Sequence, residues 1–132
     1  MGGPAVVWIA GVLAFATCGG VANATGDGPA PPPPPCSFSL SMPTRAGDVV
    51  TAMVQSTGCA ALALPYSAVA CLSPDSGGAM RCEQARGADP AQVSVPYAPG
   101  VIFVATGRGC AGWTGLSPAP DCQLLGPDSA TP

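Results

Sequence analysis

The chain has 132 residues, the size of one domain, with seven acidic residues, four arginines, no lysine and no histidine, for a net charge of −3. That balance excludes a nucleic-acid face, which needs cations against phosphates, and electrostatic capture by anionic lipid. Without histidine or lysine there is no Ser-His-Asp or Cys-His pair, no Schiff base and no P-loop lysine. Ala, Gly and Pro are abundant and Asn23 is the single asparagine, a pattern of GC-rich codons that suggests a high-GC bacterial source.

Residues 1–24, MGGPAVVWIAGVLAFATCGGVANA, carry an apolar run from Ala5 to Ala16 and end on Ala22-Asn23-Ala24. The run has the length of a signal-peptide core and is short for a bilayer span, so a cleaved export signal is expected. The usual positive n-region is missing, which weakens that reading; a plain membrane anchor and a buried structural segment are the alternatives. Cys18 sits in FATCGG, where a lipoprotein signal would place its acylated cysteine; Thr17 and Phe15 fit that pattern poorly. The expected location is therefore secreted, with lipid anchoring through Cys18 as the alternative. Residues 25–35, TGDGPAPPPPP, form a Pro-rich linker whose five consecutive prolines favour an extended polyproline II spacer.

The domain proper spans residues 36–132. CSFSLSM alternates with period two, placing Cys36, Phe38, Leu40 and Met42 on one face of a strand at 36–42. After Pro43 and a turn at Gly47-Asp48, a second strand at 48–57 points Val50, Ala52 and Val54 inward. Cys59 has the opposite parity, which a bulge at Gly58 would correct. Strands at 66–73 and 79–85 flank a Ser76-Gly77-Gly78 turn. The strand at 91–97 alternates cleanly through Ala91, Val93, Val95 and Tyr97. Residues 101–107, VIFVATG, read as a central strand covered on both faces. Residues 121–126 close the set. Short strands between turn signals, with no helical periodicity, predict an all-β fold: a small antiparallel immunoglobulin-like β-sandwich of about seven short strands.

Six cysteines follow the leader. An even count in an exported domain implies disulfides, and the absence of Cys-x-x-C and of histidine argues against a redox or zinc site. Each sequential pair is centred on turn-forming residues, so Cys36–Cys59, Cys71–Cys82 and Cys110–Cys122 are the expected staples, with a bridge between sheets such as Cys59–Cys110 as the rival.

Three pieces, AGDVVTAMV, YSAVACLSPDSGGAMRC and DCQLLG, together about a quarter of the chain, resemble the neocarzinostatin-type apoproteins. These are secreted actinobacterial sandwiches that carry an enediyne chromophore. The resemblance implies a secreted sandwich able to hold a small molecule. It stops short of a family assignment: the Cys82-to-Cys110 connection is shorter than that family's pattern, and Cys36 and Cys59 have no counterpart in it. No binding residue is carried over.

No catalytic residue, metal or cofactor is expected. Asp75, Glu83, Asp89 and Asp121 are the carboxylates a hydrolase would have to pair, and all read better as turn or edge residues. ARGAD at 85–89 is not an adhesion tripeptide. Arg81 and Arg86 read as edge charges that discourage strand aggregation. Tyr66 and Tyr97, each after a proline, read as core ends. TGRGCAGWTGLSPAPDC, Thr106 to Cys122, is the candidate recognition loop, with Trp113 and Arg108 as its anchors. The other reading of Trp113 is packing over the Cys110–Cys122 bond. The function expected is an exported non-enzymatic module that recognises a protein or envelope component through its loops. The alternatives are a small apolar-ligand carrier, a secreted enzyme inhibitor and a structural envelope spacer.

Overall fold

The computed structural model describes Gly2, residues 33–115 and residues 121–132. The leader, Cys18, most of the Pro-rich linker and the centre of the last expected hairpin, Leu116-Ser117, lie outside the described residues. All regular structure among the described residues is strand: β1 (Cys36–Leu40), β2 (Thr44–Ala46), β3 (Val49–Cys59), β4 (Ala63–Pro74), β5 (Arg81–Arg86), β6 (Ala91–Pro96), β7 (Phe103–Trp113) and β8 (Asp121–Ala130).

Two antiparallel sheets form. In the smaller, β3 is central. β1 and β2 occupy successive halves of one edge of β3, and β6 pairs with the other. The larger sheet runs β5-β4-β7-β8. The sheets pack face to face, β3 and β6 over β4 and β5, β1 over β7 and β8. The protein is therefore an all-β, sandwich-like domain, and its strand order is compatible with the immunoglobulin-like expectation.

Eight strands replace the expected seven because the first edge strand is interrupted. Pro43 has no N–H to give a ladder, so pairing stops at Leu40 and resumes at Thr44. Pro43 is buried while Met42 is exposed, which corrects the expected inward Met42: the alternation ends where the ladder does.

The parity conflict at Cys59 resolves through a bulge. Ser37 lies opposite Gly58 but Phe38 lies opposite Ser56, so Thr57 is the extra residue, one position before the expected Gly58. Val50, Ala52 and Val54 stay buried, and Cys59 still meets Cys36. Cys71–Cys82 and Cys110–Cys122 are bonded likewise, each between directly opposed residues of neighbouring strands in one sheet. Cys59 is thus committed to Cys36 and makes no bridge to Cys110. Three intrachain disulfides point to an oxidising, extracellular environment.

Among the described residues the core is filled by Phe38, Leu72, Phe103, four valines and seven alanines. β7 supplies it from one face only. Phe103 and Ala105 are buried, whereas Val104 is half-buried and Ile102 exposed, so the expected cover on both faces is absent. Among the described residues the outer face of the larger sheet is exposed at Gln84, Arg86, Arg108 and Leu124 and buried at Ser67 and Cys110.

Candidate functional site

Exposed apolar side chains gather at one end of the sandwich. The β3–β4 connection is tight: the Ala60 N–H donates to Pro35 O at 2.8 Å and the Ala63 N–H to Ala60 O at 3.0 Å. Leu62 takes a positive φ of 66°, an uncommon backbone state for a bulky residue. Its side chain is 76% exposed, and its carbonyl accepts from the Thr114 N–H at 2.6 Å. That bond ties the turn to the end of β7, where Trp113 pairs with Ala63 and remains 39% exposed. Leu64, opposite Gly112, is exposed as well. Tyr66 follows as the extra residue of a β4 bulge, since Pro65 faces Ala111 and Ser67 faces Cys110, and it is 64% exposed.

The structure corrects the expected pairing of Trp113 with Arg108. Trp113 is the last residue of a strand rather than a loop residue, because β4 runs back to Ala63 and gives residues 108–113 ladder partners. Five residues separate the two, about 16 Å along a strand. They also have opposite parity. Trp113 shares the face of Gly109 and Ala111, which looks toward the smaller sheet, whereas Arg108 is exposed on the outer face between Val69 and Leu124. Cys110 has the parity of Arg108, so the ladder sets Trp113 and the Cys110–Cys122 bond on opposite faces.

The remaining candidates take separate places. Tyr97 is half-buried at the other end, with the Arg45 guanidinium 3.8 Å above its ring and Arg45 Nε donating to Gly47 O at 2.9 Å. Arg81 Nη1 donates to Ser94 O at 3.4 Å, linking the edges of the two sheets. Arg86 ends β5, exposed. Asp75 and Asp89 lie in connections, Glu83 on β5 and Asp121 at the start of β8. Among the described residues no group of three or more Cys, Asp or Glu is placed to hold a metal ion.

A feature invisible in the sequence is a cleft of about 590 Å³ on the flank between β5 and β6. Phe103 and Val95 reach it from the core; Pro74, Met80, Arg81 and Glu83 also line it. On the opposite flank the Phe38 N–H of edge strand β1 donates to Gln123 Oε1 of edge strand β8 at 3.4 Å, beside a smaller cavity of about 290 Å³. No protein-family model, curated protein or solved structure gives a significant match to this chain.

Proposed function

We propose that the chain is an exported, non-enzymatic binding module. In this reading residues 1–24 direct export, residues 25–35 space the domain from its surroundings, and the end bearing Trp113 engages a protein or envelope component. The observation that supports it is the set of exposed side chains at one end, Leu62, Leu64 on the outer face, Tyr66, and Trp113 on the side of the smaller sheet, on a framework held by three disulfides. Aromatic anchors on a rigid support lose little conformational freedom on binding and are frequent interface hot spots.

The test is capture. Tagged mature protein is incubated with exported and envelope fractions of its native host, and the retained partner is quantified. Trp113→Ala should reduce capture by about thirtyfold, the effect of a hot spot worth about 2 kcal/mol, and move the melting temperature by only a few degrees. Undiminished capture would show that Trp113 is not an anchor, and a collapse in melting that it serves the fold instead.

A second reading is a carrier of a small apolar ligand, favoured by the cleft between β5 and β6, whose volume falls in the range of ligand pockets, roughly 300–1,000 Å³. Protein purified from its native host should then show a mass above that of the oxidised chain by native mass spectrometry, and a consistently bare mass removes this reading.

A further inference from the structure

Among the described residues the outer face of the larger sheet carries arginines without carboxylates. By register, Gln84, Val69, Arg108 and Leu124 form one cross-strand row on it, and Arg86, Ser67, Cys110 and Cys122 the next. Two of the four arginines therefore stand on this face, about 12 Å apart on a sheet with ordinary strand spacings. None of the described carboxylates joins them. Asp48, Asp75 and Asp89 lie in connections. Glu83, Asp128 and Asp121 sit opposite Ala70, Ala105 and Ala111, whose side chains are buried between the sheets, so all three have the inward parity. Among the described residues neither Arg86 nor Arg108 forms an ion pair.

Beside the first row, Tyr66, Ser67, Gln84 and Arg86 line a notch of about 210 Å³. All four side chains can donate a hydrogen bond and none carries negative charge. Arginine presents a planar fork that suits a carboxylate. Tyr66 also belongs to the apolar end already described, so the two surfaces are continuous.

We infer that the partner of this module is a protein with an acidic segment: one Asp or Glu side chain enters the Tyr66–Arg86 notch, and a second carboxylate meets Arg108. This rests on the binding-module reading and adds the partner's chemistry. The charges select among occupants. A second copy seated face to face would set arginines against arginines. The chain's own residues 1–35 contain a single carboxylate, Asp27, and cannot match two arginines. Anionic lipid gains roughly 1 kcal/mol per cation, so two arginines supply only about 2 kcal/mol, too little to hold a protein on a membrane.

The test is site-directed photo-crosslinking of the full chain in its native host. Leu124, 80% exposed beside Arg108, is replaced by p-benzoylphenylalanine; a second chain carries the same probe at Leu62. The expected result is a Leu124 adduct on an Asp/Glu-bearing segment of another protein. It should weaken at least about tenfold in Arg86→Glu/Arg108→Glu protein and fall as salt rises. Circular dichroism and a count of free thiols establish that the double variant is folded; if it is not, Arg86→Gln/Arg108→Gln replaces it. An adduct on a second copy, on residues 1–35, on a lipid or on a segment without carboxylates overturns the inference, as does one indifferent to charge reversal. Crosslinking at Leu62 with none at Leu124 overturns it while leaving the module reading intact. No adduct at either position removes both.

Discussion

Gly109 lies against the ring of Phe38, and a Cβ built on it would collide with the ring's Cγ and Cδ atoms. The absence of a side chain on β7 is thus what lets an aromatic residue of β1 reach the larger sheet and fill the space between edge strands. Gly107 plays the same part for Val54, with Val69 O also close by. Gly112 differs: nothing lies within 4 Å of its Cβ position. Gly109→Ala should therefore cost about 1–3 kcal/mol, as overpacking does, because Phe38 must leave its rotamer or the strand must shift. Gly112→Ala should stay within about 0.5 kcal/mol of the parent. Urea unfolding with the disulfides intact measures both. Equal costs at the two positions would mean that the close approach at Gly109 is not what holds Phe38 in place.

At the scale of strands, alternation was legible wherever one face is buried and the ladder is unbroken. AQVSVP shows its inward Ala91, Val93 and Val95 in the letters, and so does the first half of β3. β7 was not legible past Gly107. Its continuation, RGCAGW, reads as loop because glycine is depleted from strands. Here glycine answers a demand made by Phe38 and Val54, two side chains remote in sequence, and no local pattern records that demand. The same limit governs the candidate site. The sequence left Trp113 open between packing over the Cys110–Cys122 bond and an exposed anchor, and hid its separation from Arg108, because both depend on β7 being extended. The cleft between β5 and β6 was hidden for a related reason: it is set by how two edges of different sheets meet. The charge-sorted outer face becomes visible only once register fixes which residues share a side.

For the described part of the molecule, the core is built largely of small side chains. Seven of the sixteen buried hydrophobic residues among the described ones are alanine, each worth roughly the 0.8 kcal/mol of one buried methylene-sized group, against about 1.5–3 kcal/mol for a valine, leucine or phenylalanine. Covalent links make up what packing lacks. With sequence separations of 23, 11 and 12, chain-entropy reasoning gives about 3–3.5 kcal/mol per bond and about 9 kcal/mol for the three. Small domains are stable by only about 5–15 kcal/mol, so the disulfides are comparable to the whole margin. Cys36–Cys59 should matter most, because it closes the longest loop and Cys36 is itself buried; Cys110–Cys122, with Cys110 buried, comes next. Cys71–Cys82, half-buried on one side and exposed on the other, should cost the least, about 3 kcal/mol. Paired Cys→Ala variants should show urea midpoints falling in that order. A chain with all six replaced should show no cooperative transition and no protected amides at 25 °C. A six-fold variant that still unfolds cooperatively would mean that the alanine-rich interior holds the sandwich by itself and that the sulfur bonds serve persistence outside the cell rather than folding.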